Sequence, residues 1–576
     1  DFSTTCELSE EVQLDGDVYI TGNGSLVLNS GAALTCEKPG CVISANLSGE
    51  VRLGRGVRVV AGWVSLAAAN ITIADTVIVN TSGLAGDPPD RTSGVPTGTH
   101  GDGGGHGGRG ASCYVKDGQS QEDSWGGDAY AWSDLEHPFS YGSKGGSTSV
   151  EKDYGGVGGG ILWLFADDLL MNGTVLADGG DSSDKGGGGS GGSIYIKAET
   201  MHGAGKISAS GGNGLAGGGG GRVSINVFSR HDDTQIFVHG GMSSGCPDNA
   251  GAAGTLYDAV PKSLDVNNNN MSTQTDTLLL DFPNQPLWTN VNIRNHAKVV
   301  VPLLWSRVQV QGQLSLKSGA VLTFGLTGYP YSEFELMAEE LLMSDSTIKV
   351  FGALRMSVKM LLMWNSRMLI NGGGDSVVAT SLLDASNLIV LKVHYRPLSL
   401  TLFSLLLLLF THVDFLYICQ ESSVIHSTAN LGVRGQGLLN LSGDGDIIEA
   451  PRLILSLFYS IRVGPGSILR GPLVNGSNGD VSPKLNCEDE SCPVEIIHPP
   501  EDCNLNSSLS FTLQVCRVED IDVWGLVQGT VIHFNRARSV TVHTSGTIST
   551  TGLGCKSGIG RGRLLSSGLS GGGGHG

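Results

Sequence analysis

GILWLFADDLLMNGTVLADGG begins at Gly160, GSIYIKAETMHGAGKISASGG at Gly192 and GRVSINVFSRHDDTQIFVHGG at Gly221, and the three align without a gap. In each, glycine returns after 19 residues (Gly160 and Gly179, Gly192 and Gly211, Gly221 and Gly240), and the units follow one another at 32 and 29 residues. Each unit opens on an alternating apolar run, such as Ile194 and Ile196 or Val223 and Ile225. A polar turn, a second short run around Ile207 or Ile236 and a glycine tract follow. Period-two alternation over a few residues marks a strand, so the unit holds two strands.

A second repeat links distant parts of the chain. GSLVLNSGAALTC from Gly24 and GQLSLKSGAVLTF from Gly312 share glycines seven apart and an L-x-L alternation. Self-similarity at such periods is the mark of a solenoid. The expected fold is therefore all-β, a right-handed parallel β-helix with long glycine-rich loops. The run FELMAEELLMSDSTIKV from Phe334 has helix-forming residues, yet its neighbours alternate, and two strands are favoured there.

The 87 glycines among 576 residues are clustered in boxes such as GDGGGHGGRG (Gly101 to Gly110) and GGGGSGG (Gly186 to Gly192), without the every-third spacing of collagen. Ordering such tracts costs much backbone entropy. The plainer expectation is turns or flexible loops projecting from the repeats, and the sharper one a surface that lets a ligand approach the backbone. With 40% hydrophobic residues the chain can bury a long core. A formal charge of -19 without a Lys/Arg cluster excludes nucleic acid as an expected partner.

N-x-S/T sequons at Asn23, Asn46, Asn70, Asn80, Asn172, Asn270, Asn440, Asn475 and Asn506 run from one end to the other, as in a chain that meets the glycosylation machinery. Cys36 with Cys41, and Cys487 with Cys492, Cys503 and Cys516, read as local disulfide staples of an oxidising compartment. A zinc site from Cys487, Cys492, Cys503 and His498 is the weaker reading, because it lacks the short C-x2-C knuckle. No metal or other cofactor is expected.

LSLTLFSLLLLLF from Leu398 is the one stretch approaching a membrane span. A crossing there would split a single repeat between two compartments. Residues 393–420 begin with a GT-codon residue, end with one that CAG encodes, and are rich in Leu, Phe and Ser, whose codons are pyrimidine-rich. A translated intron explains more than a membrane helix or a buried strand. Without the segment, NLIVLK runs into ESSVIHSTANLGVRG and the alternation continues.

Glycine-rich composition manufactures motifs. G-x-S-x-G at Gly188 to Gly192 places Ser190 in a glycine tract with no strand-turn-helix around it, and the G-x-G-x-x-G matches lack a βαβ frame. SGDGDIIEA from Ser442 resembles one turn of a calcium-binding roll, in a single copy, and a solvated turn is the default. Sugar-cleaving enzymes use grouped carboxylates. The candidates are Asp167 with Asp168 and Asp232 with Asp233, beside Gly-His-Gly at Gly105 to Gly107, but each pair falls where a strand turns and Asp bonds its own backbone. No enzyme is expected. The ligand-contact candidates are the aromatics of SWGGDAYAWSDLEHPFSYGSKGG, namely Trp125, Tyr130, Trp132, Phe139 and Tyr141, which stack on sugars or anchor a protein, or else pack down onto the repeats.

GGGHGGRGASC, SWGGDAYAWSDL, YGSKGG, LADGGDSSDKGGGGSGGSIYIKA, GGGGGRVSINVFSRHDD, GTLYDAVPKSL, PLLWSRVQVQGQ, EELLMSDSTIKVFGALRMSVKM and IHPPEDCNLNSSLSFTLQVCRVEDI together resemble the large glycine-rich, membrane-anchored proteins of land plants, sometimes labelled ephrin-type-B-receptor-like. The resemblance covers nearly the whole chain. It implies a β-solenoid ectodomain in the secretory pathway, on the outer side of the plasma membrane or in the wall, with its leader and C-terminal anchor outside this chain. It also implies a junction from Lys392 straight to Glu421, and it brings no catalytic residues. The chain shows no kinase motif to support the receptor label.

The organisation expected is N-terminal solenoid over 1–100, glycine-box repeats over 101–260, solenoid over 261–392, the foreign segment 393–420, and solenoid again over 421–576, ending in a glycine box as a fragment would. The function expected is structural or recognition work at the cell surface, on cell-wall polysaccharide or an extracellular protein. The alternatives are a pectin-type hydrolase or lyase and a receptor-like ectodomain.

Overall fold

The period of the three aligned segments becomes a register of paired strands. The computed structural model describes residues 4–97, 100–113, 115–116, 119–120, 124–130, 134–148, 152–183, 185–279, 288–302, 306–327, 329, 332–372, 381–391, 422–473 and 512–553. No helix occurs among these residues. The chain divides into two compact units, Asp1–Leu303 with Val310–Thr323, and Leu304–Gln309 with Phe324–Gly576.

In the first unit, β1 (Trp63–Ile73), β2 (Ile161–Met171), β3 (Ser193–Gly203) and β4 (Arg222–Asp232) lie side by side and parallel. Trp63 meets Ile161, Ile161 meets Ser193, and Ser193 meets Arg222. The repeat intervals of 32 and 29 are thus the pairing offsets. The short runs form a second parallel sheet, in which Ile78–Asn80, Thr174–Leu176, Lys206–Ser208 and Gln235–Phe237 pair in turn. Shorter strands from Cys6 onward extend both sheets.

Alternation buries Val64, Leu66, Leu162, Leu164, Ile194, Ile196, Val223 and Ile225 between the sheets, in one continuous apolar core. Each long strand bends in its middle. Ala166 pairs with Ala198 and Asp168 with Thr200, but the residue between is left out of the ladder. Beyond this corner the buried phase shifts, from Leu162 and Leu164 to Leu169 and Met171. One 11-residue strand therefore serves two sides of the repeat.

The chain then turns back on itself. β5 (Thr255–Asp258) is parallel to β4, but β6 (Ser263–Asn267) is antiparallel to β5, with Tyr257 opposite Leu264. From there the ladder is parallel again, β6 to β7 (Asn290–Arg294) to β8 (Gln313–Lys317). The reversal moves the buried face. Val223 pairs with Leu256, which packs on the first core, whereas the buried Leu264 and Val266 lie on the Tyr257 side and continue into Val291, Ile293, Leu314 and Leu316.

The glycine boxes are not projecting loops. Gly101–Ser112 and Gly186–Gly192 are buried throughout. Along the second tract successive amides donate in rotation: Gly187 to Gly146 O, Gly188 to Ala216 O, Gly189 to Gly180 O, then Ser190 to Ser143 O, Gly191 to Gly219 O and Gly192 to Ala177 O. The same three neighbouring segments recur every third residue, the periodicity of an extended helix with three residues per turn. A Cβ on Gly188 would lie 2.0 Å from Gly212 O, and one on Gly191 2.1 Å from Ala209 O, while neither residue has a left-handed backbone. Glycine is required here because backbone packs on backbone, and the layer satisfies its own polar groups.

In the second unit, β9 (Glu333–Ser344), β10 (Ala353–Trp364) and β11 (Ser381–Leu391) repeat the bent design, with Glu339 and Lys359 omitted from the ladder at the corner. The run from Phe334 is two strands, as its neighbours suggested, with Thr347–Phe351 the second. Residues 393–420 lie outside the described residues. On either side of them, β11 pairs with Leu431–Arg434 and Leu438–Leu441, and Arg367–Asn371 with Val424–Ser427.

Candidate functional site

The residues of Gly101 to Tyr141 do not line one site. The tract Gly101 to Arg109 crosses the glycine segments of successive repeats: Gly101 N–H donates to Lys185 O, Gly104 to Gly188 O, Gly107 to Gly220 O and Arg109 to Asp276 O. At its end Cys113 is joined to Cys246 by a disulfide across 133 residues. His106 is fully buried in this tract, its Nδ1 2.7 Å from Gly191 O and its ring 4.4 Å from that of Tyr130. Burial, then the charge of Arg222, pushes the imidazole down to about 3, against the pull of the Gly191 and Gly192 carbonyls.

The chain returns over the outer side of the strands as a strap. Trp163 Nε1–H donates to Pro138 O at 3.2 Å, Ser193 Oγ–H to Ser140 O at 2.7 Å, Ser224 Oγ–H to Glu136 O at 2.7 Å and Tyr257 O–H to a Glu136 carboxylate oxygen at 3.3 Å. Four successive repeats are thereby tied together. Ala129 packs with Leu278 and Val300, which pair with each other in another parallel sheet.

This placement sorts the five aromatic candidates. Tyr130 is buried, its hydroxyl bonded to Tyr141 O and Ser143 Oγ, so it is a packing residue and not a contact residue; burial pushes its phenol up to about 12. Tyr141 is half-buried over Gly86, where burial, then the nearby Asp17, raises its pKa. Trp125 lies under the Arg109 guanidinium at 3.7 Å, and Arg109 also reaches Asp128 at 2.8 Å. Phe139 keeps an open surface. Trp132 lies outside the described residues.

Beside the strap, the outward side of the bent strands forms an open groove of about 490 Å³. Its floor is one register column, Asn46 beside Ala67, Ala67 beside Phe165, Phe165 beside Lys197 and Lys197 beside Asn226. Five strands at ~4.8 Å make it about 19 Å long. The corner residues Asp167, Glu199 and Phe228 form the far wall, and Phe228 is 79% exposed. Phe165 is held edge-on by Trp163 and Tyr195, at centroid distances of 6.0 and 5.7 Å. Tyr195 hydrogen-bonds Asn226, and burial raises its phenol against that bond. Of these residues only Asn46, as a sequon, and Asp167, as half of an acidic pair, were marked by a sequence motif, because the other outward positions carry no local signal.

The carboxylate candidates are dispersed. Asp168 accepts from Thr200 Oγ–H. Burial raises Asp232, but the two-pronged bond from Arg230 and the bond from Thr234 outweigh it and hold the carboxyl below its ordinary range. Asp168 and Asp232 are two strands and three residues apart in register, roughly 14 Å, too far for the ~5–9.5 Å of a sugar-cleaving pair. Asp233 is exposed at the turn after β4. Ser190 is buried, donating to Gly105 O at 3.1 Å, and has no basic partner there. Asp446 of the single calcium-like turn accepts Gly443 N–H at 2.6 Å and Ser423 N–H at 3.0 Å, a structural turn. Among the described residues no three His, Cys, Asp or Glu are grouped to hold a metal.

Cys36 and Cys41 are joined, and both are buried. Cys516 is also disulfide-bonded, whereas Cys487, Cys492 and Cys503 lie outside the described residues. Spacing gave no sign of the bond between Cys113 and Cys246. Of the sequon asparagines, Asn23, Asn46, Asn70 and Asn270 are exposed, Asn80, Asn172 and Asn440 are half-buried, and Asn475 and Asn506 lie outside the described residues.

The chain matches no family model, no curated protein and no solved structure. The groove and its chemistry therefore carry the functional reading.

Proposed function

We propose that the chain is a non-catalytic extracellular recognition ectodomain that binds an uncharged oligosaccharide, of the kind found in cell walls, along the groove from Asn46 to Asn226. The supporting observation is an elongated channel lined by two phenyl rings, the half-buried Phe165 and the exposed Phe228, between the hydrogen-bonding groups of Asn46, Asp167, Lys197, Glu199 and Asn226. Sugar rings present C–H faces that stack on aromatics and hydroxyls that take such polar groups. Two carboxylates against one ammonium, on a chain of charge -19, disfavour a polyuronate.

In this reading both parallel runs wind as right-handed β-helices. Parallel crossovers are right-handed in ~98% of cases. When strand direction reverses at β5 and β6, a constant hand requires the core to move to the other face of the sheet, and the burial of Leu264 and Val266 on the Tyr257 side is consistent with that. The buried disulfide of Cys36 and Cys41 and the long-range one of Cys113 and Cys246 favour an oxidising compartment, outside the plasma membrane or in the wall. Membership of the glycine-rich, membrane-anchored plant proteins, with an anchor beyond this chain, belongs to the same proposal.

The test is calorimetric titration of the full secreted chain with neutral wall oligosaccharides, using a variant that cannot be glycosylated at Asn46. Phe165→Ala and Phe228→Ala should each weaken binding about tenfold or more, the scale of a central aromatic contact. Reducing-sugar release from wall polysaccharide that is lost in Asp167→Asn or Asp232→Asn would overturn the non-catalytic reading.

A further inference from the structure

The floor of the groove begins at a glycosylation sequon. Asn46, itself beside Thr21 in register, is the first position that lines the groove in the column running through Ala67, Phe165, Lys197 and Asn226, and it stands in the sequon Asn46-Leu47-Ser48. Its side chain is exposed and lines the groove, while Leu47 is turned into the core. The other exposed sequons do not share this position, since none of Asn23, Asn70 and Asn270 lines the groove. Asn70 is in the column beyond the corner, beside Glu50 and Asp168.

We infer that the chain's own N-glycan at Asn46 lies in this groove and is its resident occupant, so that modification of Asn46 closes the site to external oligosaccharide. The inference rests on the sugar-binding chemistry proposed above. Between Asn46 and Phe165 the column holds only Ala67, whose methyl raises no ridge, so a glycan tethered at Asn46 reaches the Phe165 ring along the groove. A short flexible tether holds a ligand at an effective concentration of the order of millimolar, so a groove that binds the glycan with a dissociation constant of about 0.1 mM is about nine-tenths filled by it, a competition factor of about ten. External ligand then competes against an intramolecular one, and binding is gated by whether Asn46 carries its glycan and how far that glycan is trimmed.

The experiment uses the full chain from a glycosylating secretory host. Site occupancy is read by peptide mapping, and native deglycosylation by peptide:N-glycosidase is followed separately at Asn46, Asn70 and Asn270. Asn46 should be modified, and its glycan removed about tenfold more slowly than the other two, with the difference gone in Phe165→Ala/Phe228→Ala. Ser48→Ala and Asn46→Gln should each raise the affinity for neutral wall oligosaccharides by about the same factor over the glycosylated chain. An unmodified Asn46, or a glycan released there as fast as at Asn70, overturns the inference. Persistent, aromatic-dependent protection with no oligosaccharide binding by Ser48→Ala leaves the self-occupancy standing and overturns the proposed function.

Discussion

His106 sits neutral in a fully buried tract of glycine, with a folded pKa of about 3 against 6.5 for the free side chain. Between those values the unfolded chain binds a proton that the folded chain refuses, so stability from this group is complete above about pH 6.5 and declines as the pH falls. From pH 7 to pH 5 the loss is about 2 kcal/mol. Urea titrations at the two pH values should show it, and His106→Gln should remove that increment while lowering stability at pH 7. Glycine positions divide just as sharply. Gly188→Ala would drive a Cβ to 2.0 Å from Gly212 O and should cost at least about 3 kcal/mol or prevent folding, whereas Gly16→Ala meets nothing within 4 Å and should be neutral. Thermal melts of the two variants decide it. Composition marked both glycines alike, because the difference depends on which backbone lies opposite.

Strand positions were legible at the scale of elements, since alternation and the repeat interval dictate both the strands and their register. The bent strands were half-legible. The ADD of β2 reads as a turn after a strand, and it is a corner within one. The reversal at β5 and β6 left no trace, because Leu264 and Val266 alternate like any inward pair and only the pairing direction shows which side they face. Nor did the strap, whose aromatic residues look equally suited to a ligand. The bond between Cys113 and Cys246 pins the crossing tract to the segment that follows the unit of β4, and its loop of 133 residues implies a stabilisation of up to about 5 kcal/mol. Cys113→Ser/Cys246→Ser should lower the midpoint of denaturation accordingly and should raise amide exchange at Gly101 to Gly110 more than in β1.

For the whole molecule, the all-β parallel architecture followed from the period alone. The groove did not, because its floor draws Asn46, Ala67, Phe165, Lys197 and Asn226 from five strands, and apart from the sequon at Asn46 each reads locally as an ordinary outward position. The 28 residues 393–420 lie outside the described residues, and the strands on both sides of them pair with one another. Deleting 393–420 should leave the far-ultraviolet spectrum unchanged and increase the soluble yield. Loss of the folded state would show instead that the segment belongs to the protein.

The glycine layer has a consequence for digestion. A chain with GGGHGGRG and GGGGSGG is what proteases ordinarily cut as linker, and Arg109 stands in the first of these tracts. Its side chain is only 11% exposed, its guanidinium is held by Asp128 and Trp125, and its amide donates to Asp276 O. Trypsin should therefore pass over Arg109 in the native protein and cleave there once the Cys113 bond is reduced. What composition presents as the softest part of the chain would be among the last to yield.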